Sequence, residues 1–394
     1  MPPLAFVAYL ICGAAVSLIF LCYAEIGSRV TRSGGSYAYI EEAFGPFAGF
    51  ISSMLLWFGW AVLSDAALTV AMIETLSIAI PELEETGWKL LFMFVLFAFM
   101  VGTNIVGVKS GVRLYIFNTI AKLVPLALLL VVGFFFVKLD NLVITEWPSF
   151  ANIGAATLVL IFAFSGAECA LNASGEIENP SKTVPSGILL GLGSIFILYL
   201  GLQTVAQGVL GAELGNNTEA PLAAAANEIF GGWGVKLLLV GGAISIFSTL
   251  SGDILVTPRV IFAAARDGNL PKPLAKVHAK YKTPYVSIIF YACMIALLAL
   301  SGQFKVLAVM ASGSILLVYA GVSLATLKLR FRDGPPAEGQ FKMPGKAIIP
   351  LMSCGVITWM LWQLTYEEAL GLLALIGVSI IIFALQKLAN KNTP

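Results

Sequence analysis

The sequence predicts an all-α polytopic membrane protein of about 11 spans, arranged as inverted repeats around a broken helix. Three observations predict it. Of 394 residues, 59% are hydrophobic and only 11% are charged, where a soluble chain carries roughly a quarter charged residues. Apolar runs long enough to cross a bilayer recur along the chain, at 4–24, 46–80, 88–107, 114–137, 153–176, 186–210, 234–264, 284–300, 304–327, 347–364 and 368–386. One of them is interrupted: the run from Ile153 meets Ser165-Gly166-Ala167-Glu168 and stops at Asn179-Pro180. Glycine and serine weaken a helix there, and a glutamate at bilayer depth is costly. A half-helix, an unwound joint and a second half-helix place ligand-binding backbone in mid-membrane. A helix merely kinked at glycine is the competing reading.

The spans take their places in order. Met1-Pro2-Pro3 lacks the basic start of a cleavable signal, so 4–24 reads as a span. The runs 46–80 and 234–264 exceed one bilayer thickness and must tilt or project. If the spans alternate, most of the 23 lysines and arginines fall on one side, in the connections holding Arg29 and Arg32, Lys109 and Arg113, Arg259 to Lys282, and Lys328 to Lys346. Lys89, Lys138, Lys236 and Lys305 lie toward the other side, with the acidic connections PELEE (81–85), GAELGNNTEA (211–220) and TYEE (365–368). The basic side is cytoplasmic by the positive-inside rule. The expected location is the plasma (inner) membrane, with the C-terminus inside and the N-terminus of this chain outside. Repeat symmetry then divides the chain into an incomplete first repeat of four spans (1–140), a second repeat of five opened by the break at 165–168 (141–330), and two C-terminal spans (331–394). A first helix is missing from this plan. A genuine eleven-span protein is the alternative.

Several chemistries are excluded. His278 is the sole histidine, which rules out a histidine-built metal site or a Ser-His triad. No phosphate-binding GxxxxGK[ST] occurs, so an ATP motor on this chain is not expected. Cys12, Cys22, Cys169, Cys293 and Cys354 have neither pairing nor metal spacing. A net charge of +1 names no nucleic-acid partner. No cofactor, metal or enzymatic activity is expected, and the oligomeric state is left open.

Three segments in order, CYAEIGSRVTRSGGSYAYIEEAFGPFAGF (22–50), FAFSGAECALNASGEIENPSKTVP (162–185) and PRVIFAAARDGNLPKPLAKVHAKYKTP (258–284), resemble the amino acid–polyamine–organocation (APC) superfamily of secondary transporters. The resemblance covers nearly the whole chain. It implies a five-plus-five inverted-repeat fold with two extra C-terminal helices, and substrate bound between the family's first and sixth helices. The family's glycine-rich first helix has no counterpart here. The implied function is secondary active transport of amino acids by alternating access, proton-coupled or by exchange, with amino acid or polyamine, protons and lipid as partners. The alternative is a truncated, non-transporting fragment or a partner-binding membrane subunit.

The resemblance also proposes residues. Phe162 matches a gating aromatic, Ser165, Gly166 and Ala167 would offer backbone groups to substrate, and Glu168 matches a glutamate linking the outer gate to the proton pathway. Trp60 and Asp65, in WFGWAVLSDAALTVA (57–71), and Asp253, in STLSGDILVTPR (248–259), align with pocket-lining helices. Two carboxylates there would favour basic amino acids or polyamines, a weak lean. Lys122 matches a lysine that, in some proton-coupled members, occupies the place where sodium-driven relatives hold a sodium ion, with Thr249 as its expected neighbour. One of the two aspartates could instead neutralise Lys122.

Overall fold

The computed structural model describes residues 2–31, 34–106, 111–143, 147, 149–168, 171, 177–217, 220–266, 268 and 270–391. Arg32, Lys109, Cys169 and most of the second half-helix after the break lie outside the described residues. Among the described residues the regular structure is helical: α1 (Pro2–Arg29), α2 (Gly35–Phe44), α3 (Pro46–Met54), a π-helical stretch (Leu55–Val62), α4 (Leu63–Ser77), α5 (Thr86–Val106), α6 (Gly111–Gly133), α7 (Phe150–Phe164), α8 (Pro180–Leu210), α9 (Pro221–Phe230), α10 (Gly232–Arg266), α11 (Tyr285–Ser301), α12 (Phe304–Asp333), α13 (Ile348–Leu361) and α14 (Tyr366–Lys391). Seven helices are long and apolar enough to cross a bilayer, and four shorter apolar helices, Ile120–Phe136, Phe150–Phe164, Tyr285–Ser301 and Ile348–Leu361, complete the series. Each predicted apolar run thus has its helix, the one from 153 only as far as Phe164 among the described residues. This is a helical, polytopic membrane protein.

Two elements escape hydropathy. The amphipathic α2 follows the glycine pair Gly34-Gly35 and buries Ser36, Ala38, Tyr39, Ile40 and Ala43. The span Pro46–Ser77 changes to π-helical winding over LLWFGWAV. That is longer than the single-turn π-bulges usual inside α-helices, which often mark functional positions.

The chain forms two compact units, interleaved along the sequence. One comprises Leu4–Trp60, Glu146–Leu200 and Val309–Pro394. Its helices approach closely through small residues: a Cβ on Gly59 would lie 2.6 Å from Ser314 Oγ and 2.7 Å from Leu375 Cδ2. Interhelical hydroxyl bonds add polar contacts, as where the Ser323 and Ser353 hydroxyls meet at 2.9 Å. At the end of α1, Glu25 is 0% exposed. Arg330 of α12 meets it in a forked ion pair through Nε and Nη2. The Met343 N–H donates to the same carboxylate at 3.0 Å, and Arg330 Nη2 returns a bond to the Met343 carbonyl at 3.1 Å. The long polar loop after α12 is therefore tied at Met343 to a buried charge pair.

The other unit comprises Ala61–Thr145 and Gly201–Ala308, with Met1–Pro3. It is organised on α10, which packs against α4, α5, α6, α9 and α11. Pro125, inside α6, removes one intrahelical donor and sits against Gly241 of α10, whose added Cβ would lie 3.1 Å from the proline ring. The polar ties are side chain to backbone: Thr283 Oγ1 donates to the Ile105 carbonyl and Ser287 Oγ to the Leu274 carbonyl, each at 2.7 Å.

Candidate functional site

The break in α7 is built by its own residues. Ser149 caps the start, its hydroxyl accepting the Asn152 N–H at 3.2 Å. The helix runs to Phe164, and Ser165 then turns extended at φ −80°, ψ 158°. The Ser165 N–H and hydroxyl both donate to the Ile161 carbonyl, at 2.9 and 2.7 Å, so serine finishes the last turn twice over. Gly166 follows at φ +118°, a conformation that side chains with a Cβ rarely adopt. A Cβ placed there would meet nothing within 4 Å, so the space beside the joint is open. Ala167 and Glu168 begin a tighter, 3₁₀-like turn.

Glu168 folds back over this joint. Its carboxylate receives the Gly166 N–H at 3.0 Å on Oε2 and 3.2 Å on Oε1, and the Tyr319 hydroxyl donates to Oε2 at 2.8 Å. Glu168 is only 2% exposed. A charge so placed needs such donors, since an unpaired carboxylate in an apolar setting is heavily penalised. Tyr319 is itself fixed edge-on against Phe20 and Tyr23, with ring centroids 5.8 and 5.6 Å away. Tyr23 in turn shares a 2.7 Å hydrogen bond with Ser36 of α2.

A second aromatic group holds the preceding turn. Phe164, Tyr9 and Tyr199 meet edge-to-face, and the Tyr199 hydroxyl donates at 3.1 Å to the Ala163 carbonyl. A helix that ends in mid-membrane leaves its last carbonyls without intrahelical donors. Tyr199 supplies a replacement for one of them. Phe162 points elsewhere, its ring 5.7 Å from that of Trp60 in the π-helical stretch.

One unit therefore brings together Trp60, Phe162, Ser165, Gly166, Ala167 and Glu168. Ser165, Gly166 and Ala167 are each partly exposed. What they offer is an uncoiled backbone segment beside an anchored carboxylate and an aromatic pair. That combination suits a small solute bearing an ammonium and a carboxylate.

The remaining predicted residues lie in the other unit. Asp65, on α4, is 0% exposed, and the Tyr291 hydroxyl of α11 donates to its Oδ2 at 2.9 Å. Asp253, on α10, stands within side-chain hydrogen-bonding reach of Asp65, and Thr257 within reach of Tyr291. Lys122 is half-buried on α6. Among the described residues no ion pair joins Lys122 to Asp65 or Asp253, so the neutralisation considered from sequence is not formed. Asp65 takes a tyrosine instead. Thr249 is exposed, and its hydroxyl bonds the Ser245 carbonyl of its own helix at 3.1 Å.

Sequence reasoning missed the tyrosines. Tyr319, Tyr291 and Tyr199 supply the donors that make the buried carboxylates and broken backbone tolerable, yet each lies in an apolar run with no motif. Its signal was weak: a tyrosine where only aliphatic side chains are needed.

Comparison with known proteins follows this geometry. A family model described as "Amino acid permease" matches residues 2–391. The "Serine/threonine exchanger SteT" of Bacillus subtilis (strain 168) is 30% identical over 393 residues, covering 95% of this chain and 86% of the relative. The "Methylthioribose transporter" of the same organism is 26% identical, over 97% of this chain and 86% of the relative. The "Asc-type amino acid transporter 1" of Mus musculus is 27% identical, over 84% of this chain and 64% of the relative.

Proposed function

This chain belongs to the amino acid permease family, within the APC superfamily, and on that premise we propose that it carries an amino acid across the plasma membrane by alternating access. The observation that carries the reading is the opened backbone at Ser165–Gly166, held beside the Glu168 carboxylate. Backbone groups released from a broken helix are strong, fixed dipoles, and in low dielectric they can replace the hydration of a charged solute. The carbonyls of Ser165, Gly166 and Ala167 present those dipoles, the buried Glu168 holds the joint in shape and adds negative potential beneath it, and Trp60 and Phe162 cover the solute's apolar part. The C-terminus faces the cytoplasm, by the lysine and arginine distribution.

The substrate reading favours a small neutral amino acid. A relative named as a serine/threonine exchanger supports it. Asp65, the carboxylate expected to select a cationic side chain, is sealed against Tyr291. Basic amino acids and polyamines are the competing outcome. Movement is proton-coupled or by exchange, with Lys122 as the fixed ammonium in place of a metal cation, and with Glu168 and Thr249 as further coupling residues. The test is uptake into proteoliposomes of labelled serine, threonine, leucine, arginine and putrescine, with and without a pH gradient and an internal amino acid. Saturable uptake of a neutral member supports the reading. Uptake of arginine or putrescine alone reverses the substrate class, and uptake of none overturns transport.

A further inference from the structure

Asp65, Asp253, Tyr291 and Thr257 form a chain of polar side chains inside the helix bundle of α4, α10 and α11. Its hydrogens can be counted. The Tyr291 hydroxyl spends its proton on Asp65 Oδ2, and the Thr257 hydroxyl stands within reach of Tyr291. Asp65 Oδ1 is buried and receives no donor from any protein group. Its neighbour is Asp253, another carboxyl, which as a carboxylate has nothing to donate. Two ionised carboxylates in contact away from water would repel strongly, and a single proton between them removes both the repulsion and the orphaned acceptor.

Other elements packed on this bundle bring little that would compete. Lys122 stands on α6, Lys89 at the start of α5, Glu228 on α9 and Lys272 in the 3₁₀ turn after α10. None of them is in hydrogen-bonding or ion-pair contact with either aspartate among the described residues. Glu74 is exposed toward the end of α4. Asp65 is sealed, whereas Asp253 is partly exposed, so exchange with the surroundings runs through Asp253.

We propose that Asp65 and Asp253 hold one proton between them and are the site at which a proton is bound and released during the transport cycle. On loading, a proton from water forms an O–H bond on Asp253 and is shared with Asp65 Oδ1. On discharge that bond breaks and the proton returns to water, leaving Asp65 anchored by Tyr291. The cyclic part of this inference rests on the transport reading above, and the shared proton itself does not.

Two measurements on the full chain separate them. Infrared difference spectroscopy in lipid nanodiscs should show a protonated-carboxyl C=O stretch at neutral pH that is lost in both Asp65→Asn and Asp253→Asn. If Asp65→Asn does not fold, loss in Asp253→Asn alone supports the pair. A band that survives in the variants that fold overturns it. In proteoliposomes carrying a trapped pH dye, proton movement per amino acid should fall to background in Asp253→Asn. Retention of that ratio in Asp253→Asn overturns the assignment, and its loss in Lys122→Ala would then place the proton on the lysine. Amino acid movement without any proton movement in the unaltered protein overturns the inference and leaves transport standing. If no amino acid moves, the transport reading fails, and the infrared band alone upholds or overturns the shared proton.

Discussion

Two buried carboxylates show how single side chains set the terms for this membrane protein. Glu25 is paired with a guanidinium, and Glu168 is held by a tyrosine and a backbone N–H. Removing one partner from a buried ion pair strands the other, at about 3–5 kcal/mol, whereas replacing both by apolar groups can be neutral. Arg330→Met should therefore lower thermal stability strongly, and Glu25→Leu combined with Arg330→Met should recover only part of the loss, because Arg29, 3.9 Å from Glu25, and the Met343 N–H also lose their acceptor. Heat-challenge size-exclusion chromatography of the single and double variants measures this, and equal stability of all three would contradict the pairing. Tyr319→Phe keeps the ring packing against Phe20 and Tyr23 but deletes one donor to Glu168, which should cost about 1–3 kcal/mol in the same assay. No change would mean that Glu168 finds its partners elsewhere. Little of this was legible in the sequence. Glu25 ends an apolar run and Arg330 looked like one more cytoplasmic cation, because a pair 305 positions apart leaves no local pattern.

At the scale of the element, the broken α7 was the most legible feature. Serine, glycine and glutamate at successive helical positions in a bilayer conflict with every local preference for a continuous helix, and the chain does uncoil there. What the pattern lacked was the manner of the break. Serine closes the last turn, glycine alone supplies the positive φ, and Tyr199 from α8 takes up a freed carbonyl. Because a Cβ at Gly166 would touch nothing, Gly166→Ala isolates the backbone contribution. It should destabilise by about 1–3 kcal/mol and reduce uptake. A helix-interior glycine would instead gain roughly 1 kcal/mol on the same change, so the sign of the shift in thermal midpoint tells a broken helix from a kinked one. The π-helical winding of Leu55–Val62 was not legible. Its apolar run fits either helix type.

For the whole molecule, hydropathy specified the number and order of spans because the bilayer imposes one length on all of them. The lysine and arginine distribution proposes which ends face inward. An independent trace of the membrane follows from tryptophan: Trp88, Trp147, Trp233 and Trp362 are exposed, and each lies near an end of its span that the charge distribution assigns to the outside. Interfacial tryptophans sit at headgroup depth. Emission from the protein in nanodiscs should accordingly be quenched more by lipids labelled near the headgroup than by lipids labelled at the chain ends.

The central claim is that a transported amino acid sits against the opened backbone of α7. Thiol-labelling protection at Ala167→Cys, in a chain whose five native cysteines are replaced by serine, tests it most directly. Labelling should slow as a transported amino acid is added, over the same concentration range that saturates its uptake, and should not respond to an amino acid the protein does not carry. Labelling that proceeds at one rate at every concentration of a transported substrate would contradict the account.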